Sequence, residues 1–168
     1  MIKEVFVLNF LCSLLAAVIG GGILAILFFW LREKVFPIPK VTGRWFFEIR
    51  TINTAYKPYE GMVLRYIAMF WQAGNRIEGT VEKIYENSST GEREYVGKNR
   101  TRGVAQGYVE KNYFSKDRFV LHVVEDGHGR ESTNFYDLVV DSKDEMTGNF
   151  SSMVANQDGE ARWQRNKF

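Results

Sequence analysis

The stretch from Val5 to Trp30, "VFVLNFLCSLLAAVIGGGILAILFFW", holds no charged residue. A helix rises about 1.5 Å per residue and about 20 residues cross a bilayer core, so this run is long enough to cross once and too short to cross twice. A cleaved secretory leader would end in small residues, but here Phe28, Phe29 and Trp30 are followed by Arg32, Glu33 and Lys34. The run therefore reads as an uncleaved single-pass anchor over residues 1–36, with Trp30 at the lipid–water boundary. Lys3 precedes it, offset by Glu4, whereas Arg32, Lys34, Lys40 and Arg44 follow it, which predicts a cytoplasmic carboxyl-terminal part.

Ser13, Ala17, Gly21 and Ala25 recur every four residues and give the helix one face of small side chains. Within lipid, such a face lets a second helix approach closely, and this predicts a homo-oligomer. Two other readings stay open. Glycine is common in membrane helices, and three in a row also make a soft point where a helix bends. The only cysteine, Cys12, lies in this run, so the remainder gives no sign of an oxidising compartment.

Pro37 and Pro39 end the helix and stiffen a linker over 37–41. Beyond it, over 42–168, the apolar period changes to two. "GRWFFEIR" sets Trp45, Phe47 and Ile49 against Arg44, Glu48 and Arg50, and "RIEGTVEKIYE" sets Ile77, Val81 and Tyr85 against Arg76, Glu78, Thr80 and Glu82. Similar runs follow at "GMVLRYIAMFWQ", "GVAQGYVEKNYF", "RFVLHVVE", "TNFYDLVVD", "MTGNFSSMV" and "EARWQRN". The separators, such as "QAGN", "NSSTGE" and "DGHG", have hairpin-turn composition. About eight strands with short connections must pair antiparallel with their sequence neighbours, and they close into a barrel or stack as a sandwich. Glycines inside strands, at Gly79, Gly103, Gly107 and Gly148, favour the strongly coiled barrel. The fold class is thus all-β: a small antiparallel up-and-down barrel behind one transmembrane helix.

The opening Gly43-Arg44-Trp45, with Arg162, Trp163 and Arg165 in the last strand, resembles the Gly-x-Trp pattern of lipocalin-like barrels. That resemblance implies Trp45 packed beneath Arg165 or Arg162, closing the barrel floor, with the guanidinium on the indole. The whole layout resembles the two-transmembrane β-strand-rich effectors of CBASS-type antiphage signalling, although one spanning helix stands here where that family typically has two. The resemblance implies an inner-membrane protein whose barrel senses a cyclic nucleotide or oligonucleotide and whose helices oligomerise to disrupt the membrane and kill the infected cell. A second reading keeps the fold and changes its use, to that of a membrane-tethered, lipocalin-like binding or scaffold protein for a hydrophobic ligand or partner.

A cyclic nucleotide offers phosphates and flat bases, so guanidinium donors beside aromatic faces are its expected contacts. Arg65, Tyr66, Arg76, Gln106, Tyr108, His122, Arg162 and Arg165 are the candidates, although a one-residue register error would turn any of them to the other face. Arg65 is the sharpest, since an arginine between apolar residues must find an anion, a carboxylate or water. A net charge of +2 without a basic run argues against DNA or RNA as partner. No metal-ligand spacing, nucleophile elbow or phosphate loop is present, and His128 falls in the expected turn Asp126–Gly129, so a non-enzyme without cofactor is expected.

Overall fold

The computed structural model describes residues 2–127 and 130–168, with side chains from residue 5 onward except that of residue 130. His128 and Gly129, expected in a turn, lie outside the described residues. The chain divides into two compact units, Met1–Pro37 and Ile38–Phe168.

The first unit is one helix, α1 (Ile2–Trp30), continued by a wider turn over Leu31–Val35. The three glycines sit inside it without a break, and nothing approaches within 4 Å of where their side chains would begin. Val5–Val35 is long and apolar enough to cross a membrane.

The second unit is a closed, eight-stranded antiparallel barrel with one extra strand. The nine strands are β1 (Gly43–Asn53), β2 (Val63–Ala73), β3 (Arg76–Ser88), β4 (Gly91–Glu94), β5 (Arg102–Glu110), β6 (Arg118–Gly127), β7 (Arg130–Val140), β8 (Glu145–Ser152) and β9 (Gln157–Gln164). Each pairs with its neighbour in the chain, except that β5 passes over β4 to pair with β3; β1 pairs with both β2 and β9, which closes the cylinder. "NSSTGE", expected as a plain turn, is the tip of a hairpin: β3 runs on to Ser88 and returns as β4, a flap projecting from the barrel rim. The strand expected to reach Phe114 stops at Glu110, because Asn112 and Lys111 both bond Asp117 and fold "KNYFSKD" into a loop.

The period-two pattern fixes which side chains fill the interior. Phe47 stacks on Tyr66 at 4.6 Å and on Trp163 at 3.8 Å, nearly parallel to both, and Tyr136 meets Phe47 and Trp163 edge-on. This column, with Leu121, Leu138, Phe119 and Met146 around it, makes the lower barrel solid. In β2 the near-equal apolar content of the two faces resolves as Leu64, Tyr66, Ala68 and Phe70 inward, with Met69 and Trp71 exposed outside.

The floor is closed by Trp45, over whose ring the Arg165 guanidinium lies at 3.9 Å while donating to the Arg44 carbonyl at 3.0 Å. Of the two arginines considered for this role, Arg165 fills it. Arg162 lies on the outer wall beside Glu145. The 37–41 stretch is not wholly a linker. Val41 N–H donates to Gln72 Oε1, Gln72 Nε2 donates to the Pro39 carbonyl, and the Trp45 indole donates to the Val41 carbonyl at 2.7 Å, so from Ile38 the chain is part of the barrel.

The strand glycines sit where neighbouring backbone passes too close for a side chain. A methyl at Gly107 would lie 2.1 Å from the Val120 carbonyl oxygen, and one at Gly148 equally close to that of Asp137. Gly107→Ala is expected to cost about 1–3 kcal/mol through forced backbone shifts and to lower the melting temperature of the full chain in detergent by roughly 5–10 °C. Gly22→Ala, with open space around it, should leave the barrel transition unmoved; equal melting curves for the two variants would contradict this account of the glycines.

Candidate functional site

The solid column ends below the rim opposite the floor, and there the inward positions turn polar. On β6 the inward series Phe119, Leu121, Val123 continues to Glu125, and on β7 Leu138 and Tyr136 continue to Asn134 and Ser132. Glu125 is only 5% exposed and accepts a 2.8 Å hydrogen bond from Asn134 Nδ2. The Tyr66 hydroxyl bonds the same carboxyl. Burial pushes the Glu125 carboxyl up from its ordinary range, against the pull of Tyr66, Lys83 and Asn134. Burial and the nearby Glu125 push the Tyr66 hydroxyl up in turn, so it stays a donor.

A bulge in β3 brings a second polar group to the rim. Arg65 pairs with Tyr85 but Tyr66 pairs with Lys83, so Ile84 is the extra residue: Lys83 keeps the inward phase of Ile77 and Val81, Glu86 joins it inside, and Tyr85, expected on that same face, is turned outward under Arg65. Lys83 Nζ lies 3.0 Å from Glu86 Oε2, and the Tyr95 hydroxyl donates to the same oxygen at 3.0 Å. Burial opposes charge on this pair, yet the ion pair outweighs it, holding Lys83 above and Glu86 below their ordinary values. Thr51 Oγ1 donates to Gln157 Oε1, completing a polar ring.

These groups line a cavity of about 170 Å³ that opens at the rim, with Tyr66, Lys83, Glu86, Glu125, Asn134 and Gln157 as its polar wall. A second crevice, of about 810 Å³, lies beside the β4 flap and shares Tyr95 with the mouth through the bond to Glu86. Arg93, Lys98, Arg100 and Arg102 line it, together with the carboxylates Glu94 and Asp126. Glu82 holds Arg100 at 2.9 Å and Arg102 at 3.2 Å. Among the described residues, no carboxylate lies within ion-pair distance of Arg93 or Lys98.

The residues singled out from sequence do not converge. Tyr66 alone of the eight lines the mouth. Arg65 is outward, 2.7 Å from Glu48 and over the Tyr85 ring, so of its three possible partners it has found a carboxylate. Arg76 is exposed at the start of β3 beside Glu78. Gln106 and His122 are cross-strand neighbours on the outer wall, where His122 stacks on Phe135 at 4.6 Å, and Tyr108 is exposed one outward row away. Arg162 lines an outer groove of about 450 Å³ with Arg50 and Glu160. Arg165 belongs to the floor. Among the described residues, no three of His, Cys, Asp or Glu gather as a metal would need.

No family model matches the chain, and no curated protein matches it. Among solved structures it is similar to a de novo designed fluorescence-activating β-barrel, at 18% identity and a TM-score of 0.49, over 74% of this chain and 93% of that one.

The buried carboxyl makes stability depend on pH in a definite direction. Folded Glu125 holds its proton more tightly than the unfolded chain does, so its contribution is fully present below the ordinary value of 4.5 and is lost as pH rises through the raised one. Glu125→Gln keeps the size and the acceptor but cannot ionise. Its melting temperature should match the parent's dependence at low pH and gain on the parent as pH climbs through that interval; a gap that shrinks or stays constant would contradict the assignment.

Proposed function

We propose that this chain is a non-enzymatic, membrane-anchored effector that reads a nucleotide signal at the mouth of its barrel. The observation carrying this reading is the pairing of a ring-sized polar cavity with a basic crevice at one rim. A dry cavity of about 150 Å³ accommodates one benzene ring, and the mouth at about 170 Å³ offers a similar space lined instead by hydrogen-bonding groups. One nucleobase fits that description, with Glu125 and Asn134 to meet its edge and Tyr66 beside it. The ligand's phosphates then lie outside, where Lys98 offers positive charge and Arg93 adds its own beside its cross-strand partner Glu86.

A cyclic dinucleotide is the ligand class we propose first, because it carries a base and phosphates in fixed proximity and because the layout resembles the antiphage effectors. In this reading α1 spans the inner membrane with the barrel in the cytoplasm. Ligand binding promotes packing of α1 against copies of itself along Ser13, Ala17, Gly21 and Ala25, and the clustered helices breach the bilayer in an infected cell. Shifting such an assembly from nearly off to nearly on needs about 5.5 kcal/mol of differential affinity. The carrier alternative is less well supported, since aromatic side chains already occupy the lower interior where a lipid tail would lie.

Calorimetric titration of the full chain in detergent with cyclic dinucleotides, and with mononucleotides as comparison, tests the site. Glu125→Ala and Lys98→Ala should each weaken binding about 10- to 100-fold, the worth of a hydrogen bond to a charged group, while Arg76→Ala and Gln106→Ala should leave it unchanged. Binding lost in the latter pair and kept in the former would move the site to the outer wall. In cells that make the signal, overproduction should arrest growth and admit an impermeant dye, and Gly21→Leu should abolish both; arrest that persists in Gly21→Leu would refute the helix-packing step.

A further inference from the structure

The end of the barrel opposite the mouth is built unlike an ordinary solvent-facing floor. The β5–β6 loop there has a pinned base: Asn112 N–H and Lys111 Nζ both bond Asp117 at 2.9 Å, and Lys116 Nζ reaches Asp141 at 2.8 Å. On this fixed base the tip presents Phe114, whose side chain is 105% exposed, with Tyr113 beside it. A single exposed apolar residue is unremarkable, but this one has company. Trp71, 60% exposed, and Tyr108 point outward from β2 and β5 near the same end, Trp71 opposite Glu78 and Tyr108 opposite Arg76. A phenylalanine left wholly in water forgoes the gain of burying its ring, and no contact within the barrel recovers it.

The chain enters the barrel at this end. Ile38 packs on the core next to the floor, and only Phe36 and Pro37 separate it from Val35, the last residue of the helical segment. Exposed Lys40, Lys143 and Lys167 belong to the segments around the floor. Tryptophan, tyrosine and phenylalanine with flanking lysines are the residues that favour the lipid–water boundary, where rings sit at headgroup depth and ammonium groups meet lipid phosphates.

We propose that the floor of the barrel is a lipid-binding surface, with Phe114 inserted into the headgroup region and Trp71 and Tyr108 resting against it. The inference rests on α1 spanning a bilayer and is independent of what the mouth binds. Its consequence is orientation: the floor is held against lipid and the mouth faces away, open to solvent.

The test uses the full chain reconstituted in vesicles of phosphatidylcholine with a minority of phosphatidylglycerol, some lipids carrying a nitroxide near the headgroup. An environment-sensitive fluorophore is attached through Ser115→Cys or Val96→Cys, each in a Cys12→Ser background, with Val96 marking the flap side of the barrel. A third sample labels native Cys12 and uses nitroxides deep in the acyl chains. The Ser115 reporter should shift to the blue and lose most of its emission to headgroup nitroxides, the Val96 reporter should do neither, and adding Phe114→Asp should return the Ser115 reporter to the Val96 level. Because Phe114 makes no core contact, that variant should melt as the parent does. A Ser115 reporter that behaves like the Val96 one, or whose quenching survives Phe114→Asp, overturns the inference. So does a blue shift that grows with protein density and ignores the nitroxides, which would reveal contact between copies. Failure of the deep quenchers to reach Cys12 overturns the membrane span itself, and is distinguished by that third sample.

Discussion

The stack of Tyr66, Phe47 and Trp163, register partners on three adjacent strands, is the contact on which the other features depend. Eight strands enclose a space just wide enough for side chains to fill, and three flat rings at near-parallel stacking fill most of its width with little conformational freedom to lose. Because Phe47 comes from β1, Tyr66 from β2 and Trp163 from β9, the column ties together the first two strands and the last, the strands across which the cylinder must close. The top ring of the column is also the first group of the mouth. Tyr66 has its ring in the apolar stack and its hydroxyl on Glu125, so one side chain marks the boundary between the apolar core and the polar mouth where we propose binding.

This division gives the barrel two unlike ends. Below, Arg165 over Trp45 seals the floor, and the aromatic loop and lysines surround it. Above, a carboxyl whose proton affinity is raised by burial, an amide, and an ion pair bordered by a tyrosine surround an opening. In the proposed function, a ligand entering from above meets groups already oriented by their own hydrogen bonds, which lowers the ordering cost of recognition.

Much of the fold was legible because its two periods are strong. The uncharged run and the alternation of Trp45, Phe47 and Ile49 dictate a helix followed by a half-buried strand, and the interior glycines at Gly107 and Gly148 point to close backbone crossings that a coiled barrel creates. The site was less legible, for two physical reasons. Arginine and aromatic content drew attention to Arg65 and His122, yet the period places both outside, where Arg65 pairs with Glu48 and the His122 ring stacks on Phe135. Glu125 was within reach of the same reasoning, since it continues the inward series Phe119, Leu121, Val123. Lys83 was too, as it continues the inward series Ile77, Gly79, Val81; Glu86 was not, because the single-residue bulge at Ile84 reverses its face and nothing in the local sequence announces it. The β4 flap stayed hidden too, because "NSSTGE" has turn composition whether or not the strands beyond it pair.

The central claim is that recognition takes place at the rim above the aromatic column and nowhere along the outer wall. Hydrogen exchange on the full chain, with and without bound cyclic dinucleotide, tests it most directly. The account predicts the slowest amides in β1, β2 and β9 around the column in both states, with added protection on binding confined to the rim ends of β6 and β7 around Glu125 and Asn134 and to the flap. Protection gained instead along the outer wall near His122 or Arg162, or fast exchange in the strands that carry Phe47, Tyr66 and Trp163, would contradict it.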